Sequence, residues 1–193
     1  MRVAFQGEPG AYSEQALFEY FGSVETKPCT SFDAVFETVE AGECDAGMIP
    51  IENSIAGRIH QNDDLLSRHT LKVVGEYSLR VRHCLIANSG VTIAEIKKAM
   101  SHPQALAQCA DFLKSHGIQP EPVYDTAGSV KMLKESGARD TAAIASRRAA
   151  ELYGMQILEE GIEDDSRNTT RFLAIAREAT FPNDESKGEW RKE

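Results

Sequence analysis

Asn168-Thr169-Thr170-Arg171-Phe172-Leu173-Ala174-Ile175-Ala176 is the stretch on which the fold turns. Its second half is an unbroken apolar run, suited to a strand buried on both faces, and its first half gathers an amide, two hydroxyls and a guanidinium. Polar side chains just before a buried strand stand at the rim of a sheet, where a ligand can reach them. Arg171 can grip a carboxylate through two parallel hydrogen bonds, and Thr170 carries a hydroxyl proton to donate. A plainer reading stays open on these residues alone. In it the threonines cap a turn and Arg171 pairs with an acid of Glu163-Asp164-Asp165.

Working outward, the rest of the chain alternates strands with helices. Residues 2–6 read as a strand, Gly7-Glu8-Pro9-Gly10 as a turn, and Ala11-Tyr12-Ser13-Glu14 as the start of a helix whose free N–H groups suit an anion. The spacing is not GxGxxG, so a dinucleotide site is a weak reading, and a helix start that caps itself is the commoner outcome. Ser31 has the position of an N-cap before Phe32, Val35, Phe36 and Val39 at helical spacing. Ala46-Gly47-Met48-Ile49-Pro50-Ile51 reads as a buried strand ended by proline, delivering Glu52-Asn53-Ser54 to the sheet edge. Capping of the backbone by Asn53 and Ser54 is the alternative there.

Residues 71–87 read as longer strands crossing between two lobes, and 89–100 as a turn and short helix. Ser101-His102-Pro103-Gln104 opens a helix with proline at its first position. Gln104 and Gln108, four apart, share a face that could meet a cleft. Further strands fall at 122–124, 142–145 and 155–158, with helices opening at Asp125 and Ser146. The predicted class is α/β with largely parallel sheets in two small βαβ lobes around a cleft. The boundaries expected are residues 1–75 plus 162–180 for the first, discontinuous lobe, 76–161 for the second, and 181–193 for a flexible polar tail. Helix starts around such a cleft favour a small anion, which suits an enzyme or a non-catalytic binding protein equally.

Composition narrows the field. A net charge of −9 with no basic cluster argues against nucleic acid and anionic membrane as partners. No apolar run approaches bilayer length and no leader is visible, so the expected compartment is cytoplasmic. Cys29, Cys44, Cys84 and Cys109 lie far apart without a CxxC pair, and the five histidines form no HExxH pair. Buried reduced thiols and no metal are expected.

Four motifs then stand together: Gly7-Glu8-Pro9-Gly10-Ala11-Tyr12-Ser13-Glu14, Pro50-Ile51-Glu52-Asn53-Ser54-Ile55-Ala56-Gly57, Ser101-His102-Pro103-Gln104-Ala105-Leu106-Ala107-Gln108-Cys109 and Asn168-Thr169-Thr170-Arg171-Phe172. In this order and spacing they resemble the catalytic domain of the prephenate dehydratase family, over residues 1 to about 178. The resemblance implies a fold like that of type II periplasmic binding proteins, a homodimer, and a cofactor-free lyase reaction. In that reaction prephenate, a dicarboxylate, loses water and carbon dioxide to give phenylpyruvate in phenylalanine biosynthesis. Arogenate dehydratase is the related alternative. Carried over residue by residue, the family pattern makes Thr170, Asn53, Ser101, Gln108 and Glu52 the catalytic candidates. Arg171, Thr169, Ser13, Ala11, Ser54, Asp125 and Thr126 become the substrate-binding ones, with Asp125 in place of a glutamate and Arg171 either gripping substrate or bracing its loop. Many members add a phenylalanine-sensing ACT domain, for which 193 residues leave too little room.

Overall fold

Alternation in the first residues forms β1 (Arg2–Gln6), in which Val3, Ala4 and Phe5 are wholly buried because helices cover both faces of the sheet. The computed structural model describes residues 1–178; the tail expected over 181–193 lies outside the described residues. After β1 come α1 (Tyr12–Phe21), β2 (Glu25–Cys29), α2 (Phe32–Glu40), β3 (Ala46–Asn53), β4 (Gly57–Arg58), α3 (His60–Arg68) and β5 (Lys72–Arg80). The chain continues through β6 (Cys84–Ala87), β7 (Lys98–Ser101), α4 (Pro103–Ala107), α5 (Ala110–Ser115), β8 (Gln119–Pro122) and α6 (Thr126–Ser136). It closes with β9 (Thr141–Ala145), α7 (Arg147–Tyr153), β10 (Gln156–Glu160) and β11 (Thr169–Ala176). No helix among the described residues is long and apolar enough to cross a membrane.

These strands form two sheets. The first has the order β2-β1-β3-β11-β5 with β4 hydrogen-bonded to β3, and the second the order β10-β6-β9-β7-β8. The last strand therefore does return to the first sheet, where it lies between β3 and β5 rather than at an edge. Each sheet is packed on both faces. Val35, Phe36, Val39 and Leu65 cover one face of the first sheet, and Ala16 and Leu17 the other. Leu106 and Leu113 cover one face of the second, and Val130, Leu133 and Ala149 the other. Burying each such aliphatic or aromatic side chain stabilises the fold by about 1.5–3 kcal/mol. The four cysteines are free and buried, and burial pushes their thiols up, Cys84 to about 11.

Several local expectations need correction. The sheets are mixed rather than largely parallel, since β11 runs antiparallel to β3 and β5, and β6 to β9 and β10. Pro50 does not end β3. The register against β11 shifts between Arg171 and Phe172, opposite Glu52 and Pro50, and that bulge tolerates a residue with no N–H. Within 89–100 the expected helix shrinks to one 3-10 turn, Ile93–Glu95, capped reciprocally by Thr92 and Glu95, and Lys98–Ser101 is a strand. The boundary at 75 falls inside β5, which lies wholly in the first sheet, so the outward crossover is residues 81–83.

Strand direction decides where the site forms. β1, β2 and β3 are parallel and β11 antiparallel, so the C-terminal ends of the first three share an edge with the start of β11. In the second sheet β7, β8 and β9 are parallel, and Ser101, Pro122 and Ala145 share their C-terminal edge with Cys84 of β6. The edges meet at the start of α1. Ser146 Oγ donates to Gly10 O at 2.6 Å, and Arg148 Nε to the buried Glu14 carboxylate at 3.0 Å. Crevices outside the carboxyl ends of parallel strands are where α/β proteins bind ligands.

Candidate active site

Thr170 and Asn53 are register partners on β11 and β3, so their side chains lie on the same face of the sheet. Asn53 is 7% exposed, and its Nδ2 donates to Thr170 Oγ1 at 2.9 Å and to Asn168 Oδ1 at 2.8 Å. Its Oδ1 accepts from the backbone N–H groups of Ile55 and Ala56 at 3.0 and 2.9 Å. The capping expected of Asn53 is therefore present, and it leaves the amide nitrogen facing Thr170. The Thr170 hydroxyl proton has no protein acceptor among the described residues, so the group is half-buried, fixed by one donor and free to donate in turn.

The network extends from there. Asn168 is fully buried and donates from Nδ2 to Gln108 Oε1 at 3.0 Å. That same oxygen lies 2.9 Å from His83 Nε2, and His83 Nδ1 lies 2.8 Å from the Tyr12 hydroxyl. Burial draws the His83 pKa below its ordinary value against the opposing pull of Gln108 and Glu163, and burial raises the Tyr12 phenol well above its own. Gln108 Nε2 has no protein partner among the described residues and is a second free donor. Sequence reading missed His83 and Tyr12 as site members, and placed Asn168 in the stretch without a role.

The other candidates divide. Thr169 and Ser54 brace the entry to β11: Thr169 N donates to Ser54 Oγ at 3.0 Å, and both hydroxyls donate to Arg167 O, at 3.1 and 3.3 Å. Ser101 is fully buried and its hydroxyl is engaged by Ile144 O at 2.7 Å, so no hydrogen bond among the described residues joins it to Thr170. Asp125 caps α6 through Gly128 N at 2.7 Å, with Thr126 as the first residue of that helix. Asp125 also lines a cavity of about 480 Å³ with Gly7, Glu8, Cys29, Thr30 and Tyr124, two strands along the edge from Thr170. Ala11 and Ser13 do not present an open anion site at the head of α1. Ala11 packs between the two sheets' cores, Ser13 is buried, and Gly10 N is taken by Glu14 Oε2 at 2.8 Å. Gln104 is exposed rather than turned inward with Gln108.

Glu52 and Arg171 are not gathered with Thr170. Strand alternation turns them to the other face, where Arg171 reaches Glu52 at 3.1 Å and Glu76 at 3.0 Å. The guanidinium is thereby committed to bracing β11 against β3 and β5, and it is not paired with the acids of 163–165. The pairs are well exposed, so each contributes about 0–1 kcal/mol. Arg171→Lys is accordingly expected to lower stability by no more than about 1 kcal/mol in urea unfolding and to leave KM unchanged. A tenfold rise in KM at unaltered stability would return Arg171 to the substrate.

Two mixed sheets flanked by helices, meeting at strand ends around a buried amide–hydroxyl network, define an α/β protein with its reactive groups held between two halves. The chain belongs to the prephenate dehydratase family, whose model matches residues 3–180. Among curated relatives, arogenate dehydratase/prephenate dehydratase 2 of Arabidopsis thaliana is 50% identical over 182 residues, covering 94% of this chain and 48% of that protein. The chain thus spans about half the length of the curated relatives it matches. Among solved structures, a prephenate dehydratase from Arthrobacter aurescens in complex with L-Phe is 32% identical with a TM-score of 0.86, over 94% of this chain and 62% of that one. A protein named GqqA, described as a novel type of quorum quenching acylase, is 39% identical with a TM-score of 0.87, over 94% and 66%.

Proposed function

We propose that this chain catalyses the decarboxylative dehydration of prephenate, giving phenylpyruvate, water and carbon dioxide. The single observation that carries the reading is the Asn53–Thr170 contact at 2.9 Å. Hydroxide is a poor leaving group, so the departing ring oxygen needs a hydrogen-bond donor, and the reaction takes up one proton for each carbon dioxide released. Asn53 occupies a lone pair of Thr170 Oγ1, and the O–H of Thr170 is then directed away from the protein towards the leaving oxygen. A threonine hydroxyl is a weak acid, so it acts as a positioned donor while loss of carbon dioxide and aromatisation of the ring supply the driving force. Gln108 Nε2 supplies a second donor to the substrate, and Ser101, Asp125 and Thr126 shape the second sheet's side of the crevice.

The two sheets act as two lobes in this reading, with residues 81–83 and 161–168 as the crossovers. A cytoplasmic homodimer belongs to the same reading, although the Arabidopsis relative is named chloroplastic. Arogenate, which carries an ammonium in place of the keto group, is the second reading, favoured by the names of the 50%-identical relatives. Incubation with each acid, followed by the alkaline enol absorbance of phenylpyruvate and by chromatography for phenylalanine, tests both. Turnover of prephenate with the larger kcat/KM is expected; a preference for arogenate transfers the assignment, and turnover of neither removes it.

A further inference from the structure

The direction of the hydrogen bonds that run from Asn53 to His83 Nε2 can be derived from one end. The backbone N–H groups of Ile55 and Ala56 both donate to Asn53 Oδ1, so the nitrogen of that amide must face Thr170 Oγ1 and Asn168 Oδ1. With its oxygen thus used, Asn168 presents Nδ2 to Gln108, and the Gln108 atom 3.0 Å away is the carboxamide oxygen. An oxygen cannot donate, so the His83 Nε2 that lies 2.9 Å from it carries a proton. His83 is 2% exposed, and burial favours its uncharged ring. An uncharged ring protonated at Nε2 has a bare Nδ1, which shares the single proton of the Tyr12 hydroxyl, 2.8 Å away, with the carbonyl Arg82 O at 2.9 Å. Two backbone amides in the turn after β3 thereby dictate the tautomer of a histidine in the crossover between the sheets.

We propose that His83, in its Nε2-protonated neutral form, is a positioning residue for the chemistry at Thr170. It holds the Gln108 oxygen inward, which turns the Gln108 Nε2 donors to the substrate and keeps Asn168 donating to Gln108, so that Asn168 Oδ1 accepts from the same Asn53 amide that donates to Thr170. The proposal rests on the dehydratase reading. The alternative tautomer would set two lone pairs against each other at Gln108 and force that amide to flip, withdrawing its N–H bonds from the substrate and facing two donors at Asn168. The ring is held in place independently of its chemistry. His83 N donates to Glu163 Oε2 at 2.9 Å, and His83 O accepts from Gly161 N and Ile162 N at 2.9 and 3.2 Å. A change of side chain leaves these backbone anchors intact.

The test is a double-mutant cycle between His83 and Gln108 with the rescue variant His83→Gln, whose amide N–H can replace Nε2–H. His83→Leu is expected to lower kcat about 10- to 100-fold, as loss of an orienting partner does elsewhere, with His83→Gln recovering most of it. In a Gln108→Ala background His83→Leu should change kcat by less than about twofold, because the group it acts through is gone. Full activity of His83→Leu, or the same fold-loss in both backgrounds, overturns the proposal. If His83→Leu does not fold, His83→Gln and the ring nitrogens of the unmutated protein decide. Nitrogen-15 NMR should find Nε2 protonated and Nδ1 bare, and a ring protonated at Nδ1 overturns the assignment. That measurement stands whether or not prephenate is turned over, so a failed dehydratase reading and a failed positioning role are distinguishable.

Discussion

Thr170→Ala is expected to lower kcat for dehydration roughly 10²- to 10⁴-fold, the range of a single positioned proton donor. The fold should survive the change. Thr170 is half-buried, and its loss removes one hydrogen bond from Asn53 Nδ2, which keeps Asn168 Oδ1 as a partner at 2.8 Å. The destabilisation should therefore stay near 0.5–1.5 kcal/mol, about the net contribution of one such bond. KM should move little, since an interaction made with the departing oxygen is realised in the transition state rather than in the bound substrate. Steady-state kinetics with prephenate beside a thermal melt separates the two effects. Near-normal turnover in a folded variant takes Thr170 out of the mechanism. A fall in kcat that follows the fall in stability makes it a structural residue instead.

Gly10→Ala is expected to be strongly destabilising for the addition of a single methyl group. Gly10 has φ +93°, a region that side chains rarely adopt, and a Cβ built there meets Ala149 Cα at 2.8 Å and Ala149 Cβ at 3.0 Å. The nearer atom is backbone at the start of α7, so relief requires the two sheets to part. Parting them disturbs the bond from Ser146 Oγ to Gly10 O and the pairing of Arg148 with Glu14. Backbone strain of about 1–3 kcal/mol and overpacking of similar size combine to a loss of about 2–6 kcal/mol, measurable by urea unfolding. Ala149→Gly in the same chain should recover only the share due to the Ala149 Cβ. A Gly10→Ala protein as stable as the parent would mean that the contact between the sheets yields easily.

What the sequence disclosed, and what it hid, follows from how locally each feature is determined. The caps at Ser31, Asp125 and Ser146 were legible because a cap is a bond to a backbone N–H three residues on. The apolar runs of β3 and β11 were legible because full burial on both faces leaves no polar residue to interrupt them. β2 was not, since Glu25-Thr26-Lys27-Pro28-Cys29 is an edge strand with a charged, proline-containing sequence and no apolar alternation. β7 is only four residues long and merged into an apparent helix end.

The site was legible in part. Asn53 and Thr170 were picked out and are in direct contact, but Arg171 was grouped with Thr170 because it is next in sequence. Alternation along a strand was the signal against that, because neighbours face opposite ways. Tyr12, His83 and Asn168 gave no local signal, since the side-chain hydrogen bonds that link them join positions 25 to 115 residues apart.

The position of β11 bears on how the molecule is made. β3 and β5 are both complete by Arg80, yet they pair with each other only through a strand that begins at Thr169. During synthesis the first sheet must wait with two open edges while the ribosome adds the whole of β6 to β10, whose strands need no later partner. The strand order thus lets the second sheet be completed before the first, which closes only when β11 enters the gap between β3 and β5. Closure of a loop of that length is slow relative to local pairing. In the interval the unpaired edges of β3 and β5 are open to strands of other nascent chains, so chaperone dependence in the cell would originate there rather than at the reactive groups.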